Sequence, residues 1–457
     1  MESPSHSLPS FSVNHFSQPS LRLADARGLA STAFNIAWKH SLALCFLGLA
    51  LGALGSRPSN LQAAEILWKD SSERFSRPRS VAFSPDGKTA TYYGHEVVDV
   101  HSGVRRGPTL FIGTPSPLQS AAYSASGDAL IYGAAARVSL VDMGGVEYYR
   151  KGEQNWEWLI SLPVGAPSCI ENGDNTNEVF VGVSGPRINS YIRRLLLDRR
   201  DWDPREAVCP GREMHELQWI PSRGILASAS LDSDDVSSTV KLWSGADLSL
   251  IGTLTNRSSL VVGIRHDRLK NRLAAAFEDG WVIVWSTKDW STLSYRNVGP
   301  IALGSIDFTR SGRILLVVGV GGIVRALSPE SLEEFYSFPI DTDPPGPNEW
   351  EEFGLRAIRA SPTEDIILTV QRLGGWTAFR LPLAITKCTR SDAGGLRLEW
   401  QGGQGPYMVQ RSRSLSQPQW TDVGEPTPAQ EIELHISSTE FIRVIAWHPA
   451  ETIPNQR

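Results

Sequence analysis

The segment Val261–Trp285, VVGIRHDRLKNRLAAAFEDGWVIVW, holds three short apolar runs separated by two polar turns. Val261, Val262 and Ile264 form a first predicted strand, Leu273–Phe277 a second and Trp281–Trp285 a third. Asp279-Gly280 supplies the positive-φ pair that a tight hairpin needs. A small sheet with apolar residues on both faces cannot stand alone and has to stack on copies of itself. The chain offers such copies about seven times, at a period of about 40 to 45 residues. They begin at Ser80–Gly103, Ala121–Gly145 and Cys169–Cys209, the third with EVFVGV and INSYIRRLLL as its middle strands. LQWIPSRGILASAS leading to TVKLWSGADL is the fourth, and Val261–Trp285 the fifth. The sixth starts at Ile306 and the seventh at Ile358. Aligned on a first-strand aromatic or aliphatic residue, the copies place Phe83, Tyr123, Trp219, Ile264 and Phe308 at equivalent positions.

These repeats resemble those of WD40 proteins. Ser80–Gly103 follows that family's order of strand, SPDG turn, strand, turn and strand. Trp243 stands where the family carries the Trp of its WD dipeptide, and Asp279 precedes Trp285 by the spacing that lets a hairpin turn bridge to that Trp. The resemblance implies an all-β fold, a seven-bladed WD40-like β-propeller over residues 65–384. It further implies that a terminal segment completes the last blade. Glu65–Lys69, EILWK, is placed to do so beside Trp376–Leu381, which would remove an exposed edge.

After Pro382 the period ends and a half-buried alternation begins, with Leu396, Leu398 and Trp400 on one face and Arg397 and Glu399 on the other. The strands LRLEW, PYMVQRS and EFIRVIAW resemble those of a fibronectin type III module, with Trp400, Tyr407 and Phe441 as its framing residues. Residues 385–457 are thus expected to form a small β-sandwich domain.

The N-terminal region has a different character. Residues 1–38 are rich in Ser, Pro and His without an apolar period and read as a disordered extension. Within 39–64, Lys39 and His40 precede Ser41–Gly55, a run of about 14 apolar or small residues. It falls short of the about 20 that a spanning helix wants. Small residues at Ala53, Gly55, Ala63 and Ala64 offer cleavage points, so the segment reads as a secretory signal peptide. A retained membrane anchor through residues 41–55 and a two-part organelle transit sequence are the alternatives. Leu44 before Cys45 does not suit a lipobox.

Composition narrows the function classes. The formal net charge of -5 is spread with both signs mixed, and no basic block could track a phosphate backbone, so nucleic acid is not an expected partner. Fifteen Trp and forty Gly suit short strands and tight hairpins. The four cysteines, Cys45, Cys169, Cys209 and Cys388, form no CxxC pair. With Cys169 on an innermost and Cys209 on an outermost strand, three strand spacings separate them by roughly 14 Å. A disulfide tolerates about 7 Å between Cα atoms, so none is expected.

Candidate chemistry is sparse. HExxH, GxSxG and P-loop patterns are absent, and Gly319-Val320-Gly321-Gly322 lies between strands and reads as a hairpin turn. His95, His101 and His266 fall at turns or strand ends, where solvated positions are expected rather than ligands; no metal or cofactor is predicted. Asp232-Ser233-Asp234-Asp235 lacks the Gly and Glu of a calcium loop and reads as a solvated loop. Two inserts stand out. Asp341–Gly354 is a candidate binding loop, setting Trp350 among Asp341, Asp343, Glu349, Glu351 and Glu352, against the alternative of a proline-stiffened connection. Gly152–Trp158 carries Trp156 and Trp158 beside Glu153 and Glu157. No set of polar residues converging on a central channel is legible. The expected function is a non-catalytic exported propeller that binds a protein or another envelope macromolecule. The alternatives are a propeller enzyme or carbohydrate-binding protein, of the lyase, hydrolase or quinone-dependent dehydrogenase class, and an intracellular scaffold held by a membrane anchor.

Overall fold

A computed structural model describes residues 64–446, apart from internal segments of which 71–80, 107–119 and 341–354 are the longest. The chain divides into two units, Met1–Leu61 and Gln62–Arg457, and every described residue belongs to the second. The expected extension and the apolar run 41–55 therefore lie outside the described residues. Among those residues no helix is long and apolar enough to cross a membrane.

The architecture is all-β, built from small antiparallel sheets compatible with a propeller-like fold. Strand β1 (Glu65–Asp70) comes first. The first sheet holds β2 (Val81–Phe83), β3 (Thr89–Tyr92) and β4 (Glu96–Asp99). The second holds β5 (Ser120–Tyr123), β6 (Ala129–Val138), β7 (Val141–Arg150) and β8 (Glu157–Leu162). In the third are β9 (Ala166–Asn172), β10 (Glu178–Ser184), β11 (Tyr191–Leu196) and β12 (Asp201–Val208). The fourth has β13 (Met214–Ile220), β14 (Ile225–Leu231), β15 (Ser238–Ser244) and β16 (Leu250–Arg257). The fifth follows with β17 (Val261–Asp267), β18 (Arg272–Phe277), β19 (Trp281–Ser286) and β20 (Thr292–Asn297). The sixth is β21 (Leu303–Phe308), β22 (Leu315–Gly319), β23 (Ile323–Leu327) and β24 (Glu334–Pro339). In the seventh, β25 (Leu355–Ala360), β26 (Ile366–Gln371) and β27 (Trp376–Arg380) are completed by β1 as outer strand.

A recurring turn explains why the first two strands of a sheet meet as they do. Ser84 Oγ donates to the Asp86 carboxylate at 2.6 Å, and Gly87 N donates to Ser84 O at 2.9 Å with Gly87 at φ 70°. Ser124 with Gly127, and Thr309 with Gly312, build the same turn at φ 74° and 66°. A Cβ at Gly312 would collide with the Asp267 carboxylate, so glycine is required there on two counts.

Each sheet buries both faces. One apolar cluster joins the second and third sheets through Ile131, Val146, Ile170, Val179 and Val181, and another joins the fourth and fifth through Ala227, Val240, Ile264, Ala275 and Phe277. The first strands pack in succession, β2 on β5, β5 on β9, β9 on β13, β13 on β17, β17 on β21 and β21 on β25, and β25 packs back on β2. Strand β1 pairs antiparallel with β27, Glu65 opposite Arg380 and Asp70 opposite Trp376, as the sequence predicts for Glu65–Lys69.

The registers revise one alignment. Phe83, Tyr123, Trp219 and Phe308 pair with Ala90, Leu130, Leu226 and Leu315, but in the fifth sheet the equivalent partner, Leu273, faces His266 and not Ile264. Ile264 lies two residues earlier on β17 and is fully buried. Hydrophobic identity had placed it where the fold puts a histidine. Cys169 and Cys209 are free and buried within one apolar cluster that also holds Met214. Cys209 lies just past the end of β12.

The C-terminal segment contains β28 (Ala384–Arg390), β29 (Leu396–Gln401), β30 (Tyr407–Ser412), β31 (Thr421–Asp422), β32 (Glu431–Leu434) and β33 (Phe441–Ala446). Its strands form two three-stranded sheets, ordered β28-β29-β32 and β31-β30-β33, that share a core of Leu398, Trp400, Tyr407, Val409 and Leu434. From β33 the residues packed on this core are Ile442 and Val444, so Phe441 occupies the opposite phase of its strand and does not frame the core as expected.

Candidate functional site

The first strand of each sheet is an edge strand whose outward N–H groups have no ladder partner within the sheet. Buried backbone donors have to find acceptors, and here side chains of the preceding sheet supply them. Glu171 Oε1 accepts from Trp219 N at 3.1 Å, Glu216 Oε2 from Ile264 N at 3.0 Å, and Asp307 Oδ2 from Ala360 N at 2.9 Å. Ser120 Oγ does the same for Ile170 N at 2.9 Å.

Once registers are aligned, the residue before the Phe83-type position reads Ala82, Ala122, Glu171, Gln218, Arg265, Asp307 and Arg359 around the succession of sheets. Five of these are polar, and with Glu216 they form one network. Gln218 Nε2 donates to Glu171 Oε1 at 2.8 Å, and Arg265 Nη1 is in contact with Glu216 Oε1. Arg359 Nη2 donates to that same oxygen at 2.9 Å, Arg265 Nε stands 3.7 Å from Asp307 Oδ1, and Arg359 Nη1 donates to Ser305 Oγ at 3.3 Å. A converging polar set therefore exists, contrary to the expectation from sequence. The sequence alignment hides it, because it has no equivalent position in the third and seventh copies and places Ile264 where the fifth sheet has His266.

The network is shielded from solvent: the side chains of Arg265, Glu216, Asp307 and Arg359 are 10 to 15 % exposed. Burial pushes the Glu171 carboxyl up to about 7 and the Asp307 carboxyl up to about 6, with Arg265 opposing both shifts. Burial also raises Glu216, again against Arg265. Three acids surround two guanidinium groups, and Arg268 also acts on Glu171 against the effect of burial. His266, next to Arg265, has both ring nitrogens buried without a hydrogen-bond partner, and burial lowers it to about 4. It is a neutral side chain rather than the solvated turn residue the sequence suggested.

The other sequence candidates fall in different places. Asp341, Asp343, Trp350, Glu351 and Glu352 all lie outside the described residues, as do Trp156, Glu153 and His95. Glu157 and Trp158 belong to β8 and pair with Tyr148 and Glu147, so that insert is partly strand. Asp232 is not a solvated carboxylate: it accepts from the buried Lys241 Nζ at 3.0 Å and from Thr239 Oγ1. His101 Nε2 meets Glu364 Oε1 at 3.1 Å between the first and seventh sheets. Among the described residues no group of His, Cys, Asp and Glu is arranged to hold a metal ion. Trp243 is buried and donates from Nε1 to Ser228 Oγ at 2.9 Å on the neighbouring strand.

No family model matches the chain. Two curated proteins, both named Protein HIR1, from Cryptococcus neoformans var. neoformans serotype D strains JEC21 and B-3501A, are 34% identical to it over 76 residues. The match takes in 17% of this chain and 8% of each relative.

Proposed function

We propose that the first seven sheets are the blades of a WD40-like propeller closed by β1, followed by a fibronectin type III-like sandwich. On this reading the protein is an exported, non-catalytic scaffold that binds a protein or another envelope macromolecule. The observation behind the propeller part of this reading is the cyclic packing of the first strands, with β25 returning to β2. A closed ring of such sheets is a rigid platform for loops. The Trp243–Ser228 hydrogen bond and the shared core of the two C-terminal sheets add support. The binding loop proposed is Asp341–Gly354, between β24 and β25. Pro344, Pro345 and Pro347 limit the freedom it can lose on binding, Trp350 offers a large anchor, and the carboxylates would steer a cationic or polyhydroxylated partner.

The test replaces Trp350, Glu351 and Glu352 together by Ala and compares capture of partners from an envelope extract. Loss of capture at unchanged thermal stability supports the loop; full retention moves the binding face elsewhere. A second reading, a propeller enzyme or carbohydrate-binding protein, draws on the polar network of Glu171, Glu216, Arg265, Asp307 and Arg359. Under it, Glu171→Gln changes glycan binding or turnover while capture of proteins by the loop persists. Export is tested by N-terminal sequencing of the native protein: a start between residues 56 and 65 supports it, and Met1 on a membrane-bound product favours the anchor.

A further inference from the structure

The junction between the seven-sheet body and the C-terminal segment carries an open cleft of about 770 Å³. It lies where the β21–β22 turn, the β25–β26 turn and the end of β27 meet the loops that lead into β30 and β32. Its walls are fixed by hydrogen bonds across the junction. Asp365 accepts from Gln401 Nε2 at 2.9 Å, Gly402 N at 3.2 Å and Gln430 Nε2 at 2.9 Å. Arg313 donates to Trp400 O and Gln430 O, both at 3.2 Å, and its Nε meets Glu399 Oε2 at 3.2 Å. The cleft is thus preformed, and its size is that of a small-molecule site.

Its charged groups are three arginines and three carboxylates, and their partners differ sharply. Each carboxylate is engaged: Asp365 by the three N–H groups above, Glu431 by Arg397 at 2.8 Å, and Glu364 by His101 at 3.1 Å. Arg313 is engaged by Glu399 and the two carbonyls. The remaining two are less fully engaged. Arg310 is exposed and uses one N–H, donated from Nη1 to Thr363 O at 2.7 Å. Arg380 also lines the cleft; its buried Nε faces the largely solvated Glu65 carboxylate at 3.7 Å, so any donor it offers a ligand is one of its two Nη groups. Both guanidinium groups reach the field of the Tyr407 hydroxyl: burial raises that group above its ordinary value, and Arg310 and Arg380 each oppose the rise. Tyr407 donates to Gly402 O at 3.2 Å, and Pro406 and Tyr407 give the cleft an apolar wall.

We propose that this cleft is a binding site for a small ligand bearing one oxyanion group, a carboxylate or a phosphate, held by Arg310 and Arg380. Planar guanidinium groups with open N–H donors match such oxygens in two-point geometry. The volume exceeds that of a bare anion, so the ligand carries a polar body of about sugar size resting on Pro406 and Tyr407. The site needs both parts of the chain, which gives the fixed junction a purpose beyond spacing. It is independent of the loop Asp341–Gly354.

The test is calorimetric titration of the full chain with glucuronate, glucose 6-phosphate and glucose as probes. Binding of at least one acidic probe, weakened by added salt, with none for glucose is expected. The acidic probe that binds more tightly identifies the oxyanion. Arg310→Gln and Arg380→Lys should each weaken binding at least tenfold, while Arg193→Gln, which pairs with Glu206 in the third sheet away from the cleft, leaves it unchanged. Arg310 is exposed, so its variant should keep the wild-type melting temperature. No heat with either acidic probe, equal binding of glucose, or full affinity in the Arg310→Gln variant would each overturn the site.

Discussion

Arg359 Nη2 donates to Glu216 Oε1 at 2.9 Å although Arg359 belongs to the seventh sheet and Glu216 to the fourth. The same carboxylate caps Ile264 N of the fifth sheet and touches Arg265, so one side chain joins three sheets. Removing it leaves two guanidinium groups in a space that solvent barely reaches. Breaking one partner of a buried pair costs about 3 to 5 kcal/mol, whereas the intact pair contributes little over an apolar substitute. Glu216→Ala should therefore lower stability by about that amount in urea unfolding, and Glu216→Gln, which keeps an acceptor, by less. A wild-type midpoint for Glu216→Ala would show that the network is not coupled as described.

Glu171 and Asp307 give the protein a signed pH response. Both folded values, about 7 and about 6, lie above the ordinary carboxylate range, so the folded state binds protons more tightly than the unfolded chain. Their contribution is full below the unfolded values near 4 and is lost as pH rises through 6 and 7. His266 acts oppositely: its folded value of about 4 is depressed, so its contribution is present above the unfolded value of about 6.5 and lost as pH falls toward 4. The clean observable is thus a difference. Between pH 5 and pH 8 the melting temperature of Glu171→Gln should fall less than that of the wild type. Parallel curves for the two proteins would remove Glu171 as a titrating group.

What the sequence made legible follows from how far a signal reaches along the chain. Apolar runs and SPDG-like turns are local, so β2, β5, β17 and the completing strand β1 could be placed from residues alone. The polar network is not local. Glu171, Gln218, Arg265, Asp307 and Arg359 are spread over five sheets, and each looks like a solvated edge residue until the register of its strand is known. A two-residue slip at Ile264 removes Arg265 from the set, since hydrophobic identity favours Ile264 while the register puts His266 opposite Leu273. Period-two phase misled at Phe441 in the same way, because Ile442 and Val444 are the residues that turn inward. Asp365, Gln401 and Gln430 carry no local sign of their junction at all.

Trp243 and Trp285 are 4% and 3% exposed, each on the third strand of its sheet. Trp285 belongs to the cluster between the fourth and fifth sheets, and Trp243 to the one that reaches the third. Either replaced by Ala should cost about 3 to 5 kcal/mol through the cavity left behind. Trp243→Phe isolates a second effect: it keeps most of the volume but leaves Ser228 Oγ without its indole donor. Its cost should be about 1 to 3 kcal/mol in denaturant unfolding. An unchanged melting temperature for Trp285→Ala would place that residue outside the packed interior.

Strand β1 links the two ends of the repeat, and Trp68 is its main contact. The Trp68 indole donates from Nε1 to Val100 O of the first sheet at 2.7 Å and meets the Trp376 ring of the seventh edge-on, with centroids 4.9 Å apart. Asp70 adds an ion pair to Arg105 at 3.6 Å, an exposed contact that contributes little. Trp68→Ala therefore removes one hydrogen bond and one aromatic contact from the junction of these sheets, for an expected loss of about 1 to 3 kcal/mol. Deleting Glu65–Asp70 should do more, because it strips the outer side of β27 and exposes a largely apolar five-residue strand with unpaired N–H and C=O groups. Such an edge templates association with other chains. The deletion variant should scatter light and sediment as oligomers at concentrations where the Trp68→Ala protein is still monomeric. Adding back a synthetic peptide of residues 64–71 should reverse the association by restoring the edge, and a deletion variant that stays monomeric with a wild-type unfolding midpoint would show that the seventh sheet does not depend on β1.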